Sequence, residues 1–283
     1  MNADKTCWGI YRELAHSPGR IDADRAIMES VGAALSARGF RVELVAADAG
    51  FDTHFANIFV MCERGAVLDR LIDAEKTGSI VVNSPDAIRN TYRHRMVELF
   101  ARHQVSTPAT RIVASDVKEP RPAAGTWVKR YDFHATEPRD VMYAASDEGW
   151  REALQKFAER GIPFVVAQEH VPGDLVKFYG VRNADAAVDS NWFEWFYHRD
   201  QGMLGHAFEV SGLRHAAFRA AAAVGLEIFG GDAIIQADGE PMIVDINAWP
   251  SFARYRDHAA QVIADYLTGR FERRPRVVAA TGS

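Results

Sequence analysis

A strand pair near the C-terminus carries two carboxylates inside apolar segments, and this constrains the fold of the chain more than any other feature. Residues 226–236 and 241–246 read as antiparallel strands joined at Ala237-Asp238-Gly239-Glu240, where Asp-Gly favours a tight reversal. Asp232 lies on the first strand. Asp245 and Asn247 lie on the second, two residues apart and therefore on the same side of it. A carboxylate flanked by Ile243, Val244 and Ile246 is costly to bury without a cation. Asp232, Asp245 and Asn247 together make a hard-oxygen set suited to Mg²⁺, with Mn²⁺ as a substitute; such an ion keeps waters and takes phosphate oxygens as its remaining ligands. Read alone, the same residues also fit a hairpin end with solvated acids and an asparagine turn.

Upstream of the hairpin, strand-like and helix-like stretches alternate, the pattern of an α/β chain. Strands are expected at 6–11, 40–46, 57–61 and 79–82, and helices at 22–38 and 66–76. Ser84-Pro85 is a strong helix start, serine as cap and proline in the first turn, and it opens a helix predicted over 86–103. These elements predict a small open sheet with flanking helices. The run 116–125, rich in proline and small or charged residues, marks a boundary. Strands at 126–130 and 163–168 then flank a helix at 147–160 with Trp150, Ala153, Leu154, Phe157 and Ala158 along one stripe. A strand at 175–181, a helix at 211–224 ended by Gly225, and a last helix at 254–267 complete the pattern. The expected organisation is an N-terminal α/β domain with a linker helix at 1–115 and a small subdomain at 116–182. A C-terminal metal-binding subdomain at 183–272 and a flexible tail at 273–283 follow, the C-terminal part being α+β in character.

Composition excludes several classes. The 283 residues are 48% hydrophobic, enough to bury a substantial core. Net charge is −5 with the basic residues scattered, which argues against a nucleic-acid partner. Cys7 and Cys62 form no CxxC, so neither a zinc centre nor a disulfide framework is expected. No apolar run of about 18 residues is present, so no membrane association is expected. The N-terminus lacks a basic region followed by an apolar one, and a cytoplasmic location is the expectation.

The spacing Asp232, Asp245-Ile246-Asn247 and Pro250 resembles the last motif of the ATP-grasp superfamily, and other segments fall in that family's order across roughly residues 80–268. The resemblance implies an ATP-grasp fold behind an open α/β pre-domain, with ATP and Mg²⁺ as cofactors. Arg95, within Arg93-His94-Arg95-Met96, is implied as a phosphate contact. Trp127-Val128-Lys129 matches the strand whose lysine contacts the α- and β-phosphates. Residues 164–171 resemble the adenine linker, implicating Gln168, Glu169, His170 and Val171; there a carbonyl near Glu169 accepts from the amino group and the Val171 N–H donates to the ring. Asp174 is the implied ribose acceptor and Lys177 the implied basic group beside phosphate or substrate. The chain departs from the family at residues 131–138, where a glycine-rich lid is usual and no glycine occurs. Asp-Ile-Asn, Arg95, Val-Lys-Phe-Tyr and the placement of His134 are similar to the inositol-phosphate kinase branch.

Arg12, His16 and Arg20 follow the first strand, where open α/β sheets bind ligands, and can form an anion site; a solvated charged loop is the alternative. His134 joins them as a substrate contact by resemblance, and Lys177, Arg95 and His134 are the implied catalytic residues. The aromatic run 192–197 fits core packing, a homodimer contact or a pocket wall. Three functions follow from the resemblance. The first is a ligase that activates a small acidic substrate as an acyl phosphate for attack by an amine. The second is a kinase acting on an inositol-phosphate-like molecule, and the third is a non-catalytic nucleotide-binding module.

Overall fold

The computed structural model describes residues 5–17, 19–117, 119–135 and 137–273, so the tail expected to be flexible lies, from residue 274 on, outside the described residues. Strands β1 (Thr6–Ile10), β2 (Arg41–Val45), β3 (Asn57–Val60) and β4 (Ile80–Val82) form a parallel sheet in the order β2-β1-β3-β4. The crossovers carry α1 (Ile21–Ala37) and α2 (Gly65–Lys76). Every residue of β3 is buried. Ile58 and Val60 pack with Leu68 and Leu71 of α2, whereas Phe59 packs with Ile27, Val31 and Leu35 of α1. A parallel strand covered on both faces reads as a continuous apolar run, which is why this strand was legible. The last helix, α7 (Arg256–Glu272), returns to this sheet and adds Ala259, Ile263 and Leu267 to the α1 cluster.

The single helix expected over 86–103 is two helices, α3 (Pro85–Asn90) and α4 (Arg93–Arg102). Ser84 caps α3, its hydroxyl accepting from the Ala87 N–H at 3.2 Å. The break has local causes: the Thr91 hydroxyl donates back to the Ile88 carbonyl at 2.7 Å, and Tyr92 is extended with its hydroxyl on the Glu63 carbonyl. Helix α4 therefore restarts with a phase of its own.

The middle sheet runs β5-β8-β6-β7, with β5 (Thr110–Ala114), β6 (Thr126–Arg130), β7 (Val141–Ala144) and β8 (Phe164–Glu169) all antiparallel to their neighbours. Helix α5 (Asp147–Glu159) buries Trp150, Leu154 and Phe157 against one face. The expected subdomain limits need correction at both ends. β5 precedes residue 116 yet pairs with β8. The strand expected at 175–181 belongs to the next sheet.

That third sheet runs β10-β9-β11-β12, with β9 (Asp174–Val181), β10 (Trp192–Tyr197), β11 (Ile228–Ile235) and β12 (Pro241–Ala248). Helix α6 (Val210–Val224), ended by Gly225 at φ +85°, covers one face. Val176, Phe178, Phe229, Ala233 and Ile235 share a core cluster with Leu213, Ala217 and Phe218 of that helix. The aromatic run forms edge strand β10, where Phe193 is a core residue stacked at 6.2 Å on Phe178. One irregularity matters for function. Asp232 pairs with Asp245 and Ala233 with Ile243, so Val244 is an extra, bulged residue. In a regular strand Ile243 and Asp245 would share a face; the bulge sends Ile243 toward α6 and Asp245 the other way. Asn83, fully buried, ties the N-terminal sheet to this one: its amide donates to the Ile228 carbonyl at 2.7 Å and accepts from the Glu227 and Ile228 N–H groups.

Candidate active cleft

Lys177, Asp232 and Asp245 form one row across three neighbouring strands, each directly opposite the next. The adjacent row is Tyr179, Gly230 and Asn247. Gly230 is required there, since a Cβ would sit 2.7 Å from Pro250 and 2.8 Å from Tyr179. Two carboxylates directly opposite each other on an antiparallel pair repel unless cations intervene. Here Lys177 Nζ lies 2.6 Å from Asp232 Oδ1, and Arg93 Nη2 lies 3.3 Å from Asp245 Oδ2. His134 Nδ1 is 3.6 Å from Asp245 Oδ1. Burial pushes the Asp245 carboxyl up, but the charges of His134 and Arg93 outweigh it and hold the group well below the usual carboxylate range. It stays ionised.

These side chains line a cleft of about 540 Å³ together with Asn247, and Arg12, His16 and Arg20 face it from the N-terminal domain. Arg93 also lines a second cavity of about 200 Å³, walled by Met96, Phe100, Val166 and Val244 and reached by Lys129 and Gln168. Lys129 is 7% exposed and donates to Gln168 Oε1 at 2.6 Å. Burial lowers its ammonium to about 8, opposed by the charge of Asp245. An apolar slot leading to a lysine, an arginine and a carboxylate row has the form of a site for a flat ring followed by anionic groups.

Several expected site residues lie elsewhere or are engaged otherwise. Arg95 is exposed and lines neither cavity; Arg93 takes its place, because the break at Thr91–Tyr92 re-phases α4. Arg93 also donates to the carbonyls of Arg130 and Phe133, joining α4 to the loop after β6. Asp174 is fully buried and accepts from the Leu204 and His206 N–H groups at 2.6 and 2.8 Å, so it is not a ribose acceptor here. Arg12 lines the cleft, yet its guanidinium is held by Glu63, by Asp24 at 3.3 Å and by the Trp249 carbonyl at 2.8 Å; it is a brace rather than an open anion grip. Arg20 is exposed at the cleft and has no carboxylate within 4.0 Å among the described residues.

His16 faces the cleft with a buried Nδ1 that has no hydrogen-bond partner among the described residues, and burial, then the charge of Arg64, lowers its pKa. Glu169 and His170 are exposed at the end of β8, and their N–H groups donate to Ala109 and Gly125. The Val171 N–H has no partner among the described residues and can donate to a ligand.

The glycine-poor segment after β6 is fastened by an aromatic side chain. Phe133 lies under the guanidinium of Arg130 at 3.6 Å and against that of Arg64 from the loop after β3. Burial lowers Arg64 to about 10. The motif at 93–96 pointed to the segment but not to Arg93 within it, and no pattern pointed to Arg64 or Phe133, because these roles depend on a helix break and on a contact between distant loops.

No protein-family model and no curated protein matches this chain. Solved structures do. D-alanyl-alanine synthetase A from Vibrio cholerae superposes with a TM-score of 0.70 at 10% identity, covering 94% of this chain and 98% of that one. The RimK domain protein ATP-grasp from Sphaerobacter thermophilus gives 0.64 at 16% identity, covering 92% and 98%. The ATP-grasp ligase PsnB complexed with minimal precursor, Mg and ADP gives 0.64 at 16% identity, covering 96% and 99%. The chain has the ATP-grasp fold. No helix of the described residues is long and apolar enough to cross a membrane.

Proposed function

We propose that this protein is an ATP-dependent ligase that converts the carboxylate of a small acidic substrate to an acyl phosphate and passes the acyl group to an amine. The observation that carries the reading is the row Lys177–Asp232–Asp245, with Arg93 on its acid end and Lys129 in the adjoining slot. The fold neighbours are named as ligases and synthetases, one of them holding Mg and ADP, which supports the same chemistry.

Asp232, Asp245 and Asn247 fit a divalent ion, since the opposed acids favour a cation between them and no protein group hydrogen-bonds the Asn247 amide among the described residues. Mg²⁺, or Mn²⁺ in its place, would neutralise phosphate charge there when ATP is bound. Lys129, Arg93 and Lys177 supply fixed positive charge for the triphosphate and for the oxygens that gain charge during transfer. A substrate carboxylate is already ionised at neutral pH and attacks the γ-phosphorus without a general base. Arg20 can grip a second anionic group of the substrate. His16, whose pKa burial lowers, can accept the proton that the amine nitrogen loses as it attacks the acyl carbon. The amine then displaces phosphate to give the amide.

The test is a screen of acid and amine pairs for ADP release, with hydroxylamine as a trap. ADP and phosphate formed only when both partners are present, with a hydroxamate in the trapped reaction, is the expected result. A phosphorylated alcohol as product would establish the kinase instead. ATP binding with no turnover across the screen would leave a nucleotide-binding module. His134 lines the cleft 3.6 Å from Asp245, a placement compatible with either substrate.

A further inference from the structure

A third cavity, of about 320 Å³, shares no lining residue with either part of the active cleft. It lies along the free edge of β4, where the N-terminal sheet meets α7 and the chain leading out of β9 and into β11. Its charged lining is Glu75, Arg182, Glu227 and Arg270.

Glu227 is satisfied within the protein. Its Oε1 accepts from the Tyr266 hydroxyl at 2.5 Å and from Arg270 Nε at 3.2 Å. That contact orients Arg270 by its inner nitrogen, and its two terminal nitrogens have no partner among the described residues. The Arg182 guanidinium is likewise unpaired, as is the half-buried Glu75 carboxylate. A carboxyl group and two arginines with unused donors therefore share one cavity with no ion pair within 4.0 Å between Glu75 and either arginine among the described residues. Separately, burial and then the nearby Asp86 and Glu227 push Glu75 up to about 7, against the opposing charge of Arg270.

The strand edge adds main-chain groups. Ile80 donates to the Ala56 carbonyl and Val81 sits opposite Ile58, so the parallel ladder uses Ile80 and Val82. The N–H and C=O of Val81 therefore face away from β3, toward the cavity this residue lines, although Val81 itself is only 3% exposed. One donor and one acceptor from a single edge residue match a peptide amide laid alongside the strand.

We propose that this cavity binds a short zwitterionic peptide of about dipeptide size, its carboxylate on Arg182 and Arg270, its ammonium on Glu75 and its amide on the edge of β4. The site does not depend on the ligase reading and needs no nucleotide.

The test is calorimetric titration of the full chain with L-alanyl-L-alanine, its N-acetylated form and its C-terminal amide. Saturable binding of the free dipeptide is expected, weakened about tenfold or more when either end is blocked, as loss of a charge-assisted contact requires. Arg182→Gln should weaken it by about tenfold or more and Glu75→Gln by about threefold to tenfold, while Arg182→Lys restores part of the loss. Asp245→Asn should leave it unchanged, which separates this cavity from the active cleft. No binding of the dipeptide would overturn the proposal. So would equal binding of the blocked forms, or binding that survives Arg182→Gln and disappears in Asp245→Asn.

Discussion

The N-terminal and C-terminal sheets both have four strands, but they use their second faces in opposite ways. β3 packs Ile58 and Val60 to one side and Phe59 to the other, so both faces of that sheet are core. β9, β11 and β12 pack Val176, Phe229 and Ile243 beneath α6 and turn Lys177, Asp232 and Asp245 into a cleft. The first sheet is a stability element that offers its loops to the site. The second carries the candidate site on its strands, where rigid neighbours fix the spacing of the charges.

Substitutions on the two sheets should therefore separate stability from chemistry. Asp245→Asn is expected to lower kcat by about 10³-fold or more while weakening ATP binding less than about tenfold; steady-state kinetics that match the wild type would remove Asp245 from the site. Ile58→Ala should cost about 2–5 kcal/mol in denaturant unfolding, with kcat of the folded enzyme changed less than about twofold. A large kcat effect with little loss of stability would erase the contrast between the sheets.

Arg93→Ala should reduce kcat/KM for ATP on the order of 10²-fold, whereas Arg95→Ala stays within about twofold. The reverse pattern would restore the residue expected from sequence. Lys129 titrates near 8 and is charged below that value. Its attraction for phosphate is lost as pH rises, so kcat/KM for ATP should fall through about pH 8, and Lys129→Arg should flatten the profile because guanidinium stays charged. An unchanged profile in that variant would assign the titration to another group. The smallest effect is expected for Phe133→Ala, which frees the loop after β6 and should raise KM for ATP about fivefold with little change in melting temperature.

Much of the fold was legible because its signals are local. The apolar run at 57–61 identified a doubly buried strand, Ser84-Pro85 a helix start, and Gly225 a helix end with the left-handed geometry it supplies. Asp232, Asp245, Asn247, Lys129 and Lys177, picked out from strand position and motif order, do fall on the lining of the two adjoining cavities. What could not be read depended on distant contacts. The helix break that chooses Arg93 over Arg95 rests on Tyr92 reaching the Glu63 carbonyl. Asp174 is claimed by backbone N–H groups some 30 residues downstream. Arg12 looked like a free cation because its partners, Asp24 and Glu63, come from α1 and the loop after β3. The bulge at Val244, which puts Asp245 on the cleft face, leaves no mark in the apolar pattern around it.

Titration of the protein with a non-hydrolysable ATP analogue, with and without Mg²⁺, tests the charged face of the C-terminal sheet most directly. Micromolar binding that requires the metal, and a joint Asp232→Asn and Asp245→Asn variant that no longer responds to it, is the outcome expected. Equal affinity without the metal, or a metal response that persists in that variant, would contradict the assignment.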